Sequence, residues 1–172
     1  VLALPAYAAL YWVAGHALPA AAWTNRPFTL GERLLTEPRI VWDYVHWSLL
    51  PMANELALYH DHIRVSQGLF DPWTTPFAIA GLCTLALAAV VLRRTRPLAA
   101  IGIAWFLAAH LLTATVIPLE LAFEHRNYFA SIGLYLAVFS ILLPATDSRL
   151  ALARAVLCLL VPLFFASVPF VR

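Results

Sequence analysis

The stretch "TTPFAIAGLCTLALAAVVL", residues 74–92, runs for 19 residues without a charged side chain. About 20 apolar residues are enough for a helix to cross the hydrocarbon core of a bilayer. Continuous Leu and Ala, with no alternation of polar and apolar positions, favour a helix over a strand of a transmembrane barrel. This stretch therefore predicts a transmembrane helix.

The rest of the chain is similarly apolar. It has 172 residues, of which 63% are hydrophobic and 12% charged, and its mean hydropathy is +0.82. A soluble domain needs much less apolar surface, so the sequence predicts an integral membrane protein. The predicted fold is all-α, a polytopic transmembrane helical bundle of four to five spans in a single membrane domain. That domain covers 1–172 and is expected to be a fragment of a longer protein. The other predicted spans are 1–22, 98–117, 128–144 and 155–171.

Basic residues in short loops predict the orientation of these spans. Cytoplasmic loops are enriched in Arg and Lys, so "RRTR" at 93–96 is expected in the cytoplasm. The short loop with Arg149 and Arg154 comes two spans later and falls on the same side. The segments 24–72 and 118–127, and the C-terminus, are then extracytoplasmic.

The long loop 24–72 contains an amphipathic pattern, "TLGERLLTEPRIVWDYVHWSLLP". Its apolar positions recur every three or four residues, which predicts a helix too charged to span and lying in the membrane interface. Trp42, Tyr44 and Trp47 would sit at headgroup level. A lid that only packs on the bundle and a helix that faces substrate both fit this pattern. Pro38 is expected to break or kink the helix.

A charged cluster precedes the predicted span 128–144, in "FEHRNYFASIGLYL" at 123–136 and the residues just before it. A helical turn opened by Pro118 would place Glu120 and Glu124 on one face, four residues apart. They could hold Arg126, whose planar guanidinium can grip a phosphate with two parallel bonds. The alternative is a structural ion pair that fastens two helices together.

A second cluster, "YHDHIR" at 59–64, lies in the long loop. His60 and His62 would lie on one side of an extended strand, an arrangement that suits a divalent cation. No third ligand follows from the spacing, so a hydrogen-bonded loop is the alternative. Asp61 could pair with Arg64 or accept a bond from a sugar hydroxyl.

Other site types find no support in the sequence. Cys83 and Cys158 lie inside apolar segments, which indicates small hydrophobic residues rather than a disulfide. The net charge of +2 is dispersed, which argues against a nucleic-acid partner. His110 lies within a predicted span, as a packing histidine or a proton relay. No P-loop, GxSxG, HExxH or dinucleotide motif is present.

Two stretches together resemble a known family. Residues 25–72 and the stretch 123–136 are similar to the extracytoplasmic segment and the Glu-x-Arg-x-Tyr-x-x-Ser-x-Gly segment of the TMTC-like (transmembrane and tetratricopeptide-repeat) proteins. The resemblance implies a GT-C-type glycosyltransferase that takes a sugar from a polyprenyl-phosphate donor on the extracytoplasmic side. It also implies membrane lipid and a protein acceptor or partner subunits as binding partners. A bacterial inner membrane is the expected location.

The resemblance also carries residue roles. Glu124, Arg126, Tyr128 and Ser131 match the late motif, with Arg126 as the ligand of the lipid-linked phosphate. Asp61 matches the family's loop Asp, although His62 departs from the aromatic residue that usually follows it. The catalytic acidic residue is expected upstream of Val1. The full expected substrate-binding set is Asp61, Arg64, Glu120, Glu124, Arg126 and Tyr128. A non-enzymatic helical subunit of a larger membrane complex is the alternative function.

Overall fold

A computed structural model of the chain describes residues 26–50, 63–114, 120–122, 124–142 and 148–167. Apart from an isolated bridge between Gly68 and Asp71, these residues contain helices and no strands, as the all-α prediction requires. The helices are α1 (Leu30–Leu49), α2 (Thr74–Leu92), α3 (Pro97–Thr113), α4 (Glu124–Leu142) and α5 (Ser148–Ser167).

Within the described residues, one helix, α2, is long and apolar enough to cross a membrane. It coincides with the predicted span 74–92, and several of its large side chains, among them Leu87 and Val91, are exposed on the protein surface. This finding favours membrane association. Pro97–Leu111 and Arg126–Leu142 are shorter apolar helices. The number of spans stays a prediction, and the predicted span 1–22 lies outside the described residues.

Helices α3 and α4 pack closely through small residues. Gly102 and Gly133 face each other so tightly that a Cβ on either glycine would approach the other's carbonyl oxygen to 2.6 Å or less. The indole Nε1 of Trp105 also donates to the carbonyl oxygen of Phe129 at 3.0 Å. Small residues at a helix crossing are typical of packing between membrane helices, because they let the two backbones approach.

These contacts make α3 and α4 antiparallel, because residues 102 and 133 pair while residue 105 pairs with residue 129. The C-terminal end of α4 therefore lies at the end of the bundle where α3 begins. Arg93, Arg94 and Arg96 are exposed in the turn before α3. The predicted placement of the two basic loops on one side is compatible with this order.

Helix α1 packs on α3 and α4 towards the end of the bundle opposite the 93–96 turn. Arg33 bonds to Thr113 of α3, and Ser48 bonds to Asn127 and Tyr135 of α4. Arg33 and Ser48 are 15 residues apart, or about 22 Å along the helix axis. Val41, midway between Arg33 and Ser48 on α1, shares an apolar cluster with Phe106 of α3. Phe106 lies about 10 Å from Thr113 along α3, so α1 contacts the C-terminal half of that helix.

Local sequence explains where α1 begins, but α1 does not break at Pro38 as expected. Thr29 accepts a bond from the backbone of Glu32, whose carboxylate accepts from the backbone of Thr29, a reciprocal capping box. The expected break at Pro38 is wrong, because α1 continues through it to Leu49. Proline removes a single backbone donor, and the buried side chains on both sides of it hold the helix together.

Candidate functional site

The buried face of α1 carries an ion pair. Arg33 Nη2 lies 2.5 Å from Glu37 Oε1, and the two side chains are 0% and 4% exposed. The same nitrogen of Arg33 donates to the carbonyl oxygen of Thr113 at 3.0 Å, at the C-terminal end of α3. The ring of Phe28 lies 5.9 Å from the guanidinium carbon. Arg33 thus connects α1 to α3 without contact with solvent.

The sequence pattern of α1 did not single out this pair. Arg33, Glu37, Ile40 and Tyr44 follow one another at spacings of four, three and four residues, so they share one stripe of the helix. All four are buried. Extending the Ile40–Tyr44 stripe towards the N-terminus would have found the two charged residues.

Burial changes the ionisation of the pair. It raises the pKa of Glu37 to about 8, although the positive charges of Arg33 and Arg126 act in the opposite direction. Burial also lowers the pKa of Arg33, and the Glu37 carboxylate opposes that shift. Arginine still stays protonated at neutral pH, so Glu37 is the member of the pair that changes charge.

A second set of contacts centres on Glu120. Arg26 Nη1 donates to Glu120 Oε1 at 3.0 Å, and Arg126 Nη1 donates to the Glu120 carbonyl oxygen at 2.6 Å. Arg126 Nη2 is 3.8 Å from Glu120 Oε2. The hydrogen bond from Arg26 lowers the pKa of Glu120, which is half exposed. Arg126 therefore contacts Glu120, while the side chain of its expected partner Glu124 lies outside the described residues.

The two sets form one electrostatic unit, here named the arginine cluster, of Arg26, Arg33, Glu37, Glu120 and Arg126. The positive charges of Arg126 and Arg26 both lower the pKa of Arg33, so the three guanidinium groups lie within electrostatic reach of one another. Among the side chains that the structure describes, three guanidinium groups meet the carboxylates of Glu37 and Glu120 here. Such a cluster attracts anions, and guanidinium groups match phosphate geometry.

Two further motif residues stabilise the helices. Asn127 Nδ2 donates to Ser48 Oγ at 2.8 Å and to the Tyr44 carbonyl oxygen at 3.3 Å, which attaches α4 to α1. The sequence offered no role for this residue. Ser131 Oγ donates to the carbonyl oxygen of Tyr128 within α4. The Ser131 hydroxyl is therefore hydrogen-bonded within its own helix.

The loop before α2 binds to α1 close to the arginine cluster. Arg39 Nη1 donates to the carbonyl oxygen of Arg64 at 2.8 Å and to Ser66 Oγ at 3.2 Å. The backbone N–H of Ser66 donates to Thr36 Oγ1, one residue before Glu37. The Arg64 side chain is exposed and forms an ion pair with Asp71 at 2.5 Å. The backbone at Arg64 and Ser66 is thus attached to the turn of α1 that also carries Glu37.

Three expected site residues of the second cluster, His60, Asp61 and His62, lie outside the described residues. In the parts of the chain that the structure covers, no group of three or more His, Cys, Asp or Glu side chains could hold a metal ion. The divalent cation stays a prediction.

His110 packs within the core between α1 and α3. Its ring lies 5.2 Å from the ring of Tyr44 and 4.5 Å from that of Phe106, and Nδ1 is 3.0 Å from the Phe106 carbonyl oxygen. Since that carbonyl can only accept, Nδ1 is the protonated nitrogen. These contacts fit the packing histidine among the two predicted roles.

The comparisons with known proteins add no relative. No protein-family model matches the chain, and no significant match was found among curated proteins or solved structures.

Proposed function

We propose that the chain is part of an integral-membrane glycosyltransferase whose arginine cluster binds the phosphate of a polyprenyl-phosphate sugar donor on the extracytoplasmic face. The observation that carries the proposal is the convergence of Arg26, Arg33 and Arg126 at one place, beside the carboxylates of Glu37 and Glu120. The similarity of the stretch around Arg126 to the TMTC-like motif supports the same assignment. Membrane lipid and a protein acceptor or partner subunit are the further partners.

A phosphate would bind at the edge of the cluster that solvent reaches. Arg26 and Arg126 are 28% and 11% exposed, whereas Arg33 is fully buried. The anion would compete with the half-exposed Glu120 for these two guanidinium groups. The buried Arg33 would attract the anion electrostatically without contacting it. Charge-assisted bonds from a fixed guanidinium are among the strongest available to a phosphate.

The same arrangement would assist the chemical step. In the transfer, an acceptor hydroxyl oxygen bonds to the sugar's anomeric carbon and gives its proton to the activating carboxylate. The bond from that carbon to a phosphate oxygen breaks, and the phosphate leaves with the bonding electron pair. Its charge rises as the bond breaks, so preorganised cations stabilise the transition state more than the ground state. The catalytic acidic residue that would activate the acceptor is proposed to lie upstream of Val1.

The alternative is a non-enzymatic helical subunit of a larger membrane complex. The observation that favours it is the contact between Arg126 and Glu120, which engages the guanidinium within the protein itself. In that case the arginine cluster only fastens the start of α4 to the neighbouring loop and to α1.

Replacing Arg126 in the full-length protein tests the proposal. Arg126→Ala should lower transfer from a polyprenyl-phosphate sugar by about 100-fold or more, as for other lost transition-state donors, with membrane insertion unchanged. Arg94→Ala is the matched control, because Arg94 is exposed at the opposite end of the bundle. Unchanged transfer in Arg126→Ala would exclude Arg126 as the phosphate ligand. If Arg126→Ala instead released a partner protein from a complex without transfer activity, the subunit alternative would hold.

A further inference from the structure

A cleft of about 430 Å³ opens between α1 and the first two turns of α2. One wall is the indole of Trp42, whose Nε1 donates to the carbonyl oxygen of Ala78 at 3.0 Å. Gly81 makes room for this ring, because a Cβ there would lie 2.8 Å from Trp42 Cζ2. The volume falls within the range of about 300–1,000 Å³ that small-molecule sites occupy.

The polar lining of the cleft includes both hydrogen-bond donors and acceptors. Arg39 and Asp43 are four residues apart on α1, and Thr74 is the first residue of α2. Both side-chain bonds of Arg39 use Nη1, which leaves Nη2 and Nε as further donors. A carboxylate only accepts, a guanidinium only donates, and a hydroxyl does both. This combination complements a polyol, whose hydroxyl groups also donate and accept.

The apolar lining is aromatic. Phe77, 68% exposed, and the Trp42 ring line the cleft together with Ala78. Aromatic rings offer rigid apolar faces at the boundary between apolar and aqueous surroundings. A pyranose ring has an apolar C–H face and a rim of hydroxyl groups, so one ring of this kind would satisfy both parts of the lining.

We propose that this cleft binds a neutral pyranose of a glycan that the protein acceptor carries. A second phosphate is a poorer occupant, since the carboxylate of Asp43 would repel an anion there. An alkyl chain is also poorer, because it would remove water from the Arg39 guanidinium without replacing its hydrogen bonds. The aromatic and two-way polar lining favours the sugar.

The assignment to the acceptor rests on the proposed function. Glu37 of the arginine cluster and Arg39 of the cleft are two residues apart, about 200° around α1, so the two sites lie on opposite sides of the helix. The transferred sugar of the donor is bonded directly to the phosphate. It cannot reach past a helix about 10 Å wide, so the cleft accommodates a different sugar, an outer unit of an acceptor glycan.

Binding of simple glycosides to the full-length protein tests the proposal. The protein is held in lipid nanodiscs, because the sugar headgroups of glucoside and maltoside detergents would compete with the glycosides. The probes are methyl β-D-glucopyranoside, methyl α-D-mannopyranoside and methyl β-D-galactopyranoside, followed by saturation-transfer NMR. At least one should bind, and Asp43→Asn and Trp42→Ala should each weaken it about tenfold or more. Absence of binding by all three, or no effect of Asp43→Asn, would overturn the proposal.

Glycine variants separate the cleft from general loss of structure. Gly81→Ala should displace the Trp42 ring and weaken glycoside binding. Gly31→Ala should leave it unchanged, because a Cβ at Gly31 meets nothing within 4 Å. Equal effects of the two variants would contradict the assigned role of the Trp42 wall.

Polyprenyl monophosphate distinguishes this inference from the proposed function. Both ligands should bind at once, and Arg126→Ala should weaken only the phosphate. Displacement of the glycoside by polyprenyl monophosphate, or by decanol, would overturn the acceptor site and indicate a lipid site. Glycoside binding without any binding of the phosphate would contradict the proposed donor site and support the cleft as a sugar site.

Discussion

Gly102 of α3 and Gly133 of α4 lie back to back, such that a Cβ on Gly102 would be 2.5 Å from the Gly133 carbonyl oxygen and 2.6 Å from the Ala137 nitrogen. A Cβ on Gly133 would be 2.6 Å from the Gly102 carbonyl oxygen. The obstructing atoms are backbone, so no side-chain rotation relieves the contact. The two helices can keep this distance only with glycine at both positions.

Gly102→Ala is therefore expected to separate α3 from α4 and to destabilise the protein by about 1–3 kcal/mol, as overpacking commonly does. A lower thermal midpoint of the purified protein would record the effect. Gly31→Ala, in the exposed first turn of α1, is the control and should not lower the midpoint. Equal midpoints for Gly102→Ala and the unaltered protein would contradict the close crossing.

The raised pKa of Glu37 predicts a pH dependence of stability. In the unfolded chain a glutamate titrates near 4.3, and in the folded protein the pKa of Glu37 is about 8. Between these values the folded state holds more protons than the unfolded state, so stability should fall as pH rises from about 4.5 to about 8. Above that range the contribution of Glu37 should be constant.

Thermal midpoints at pH 5, 7 and 9 would measure this dependence. Glu37→Gln mimics the protonated side chain and should remove most of the decline. The lowered pKa of Glu120 affects stability only below about pH 4.5, so it does not contribute to the decline between pH 5 and pH 9. A midpoint that rises between pH 5 and pH 9 in the unaltered protein, or an unchanged decline in Glu37→Gln, would refute the assignment.

The Arg33–Glu37 pair should couple strongly in a double-mutant cycle. At pH 9, where Glu37 is ionised, Glu37→Leu alone removes the counter-ion of the buried Arg33 guanidinium, and Arg33→Met alone removes the ion-pair partner of Glu37. Removing one partner of a buried ion pair commonly costs about 3–5 kcal/mol, whereas apolar replacement of both can be neutral. The double variant should thus be more stable than either single variant. Additive losses would indicate that the two side chains do not interact.

The helical content and the span α2 follow from composition. Residues 74–92 have no charge and no alternating pattern, so every backbone group must bond within the segment, and a helix does this locally. The capping box at Thr29 and Glu32 is local for the same reason, since it joins residues three apart. Arg126 also emerged from sequence, as a charge beside an apolar segment that requires a partner.

The interaction partners of these polar side chains became known only from the tertiary structure. Arg126 contacts Glu120 in the structure, and Asn127 binds Ser48 and Tyr44 about 80 residues away. The local sequence does not determine these hydrogen-bond partners, because they depend on how the helices pack against one another. The cleft between α1 and α2 likewise exists only because Gly81 and Trp42 meet across the two helices.

The sequence by itself determined that this protein is built of helices, that one of them suits a membrane, and that charged side chains gather at the loops. Only the tertiary structure decided that Arg33 and Glu37 point inwards, because a helix stripe becomes a core when other helices cover it. Helices α3 and α4 cover that stripe, and their position on α1 is set by contacts between residues distant in the chain.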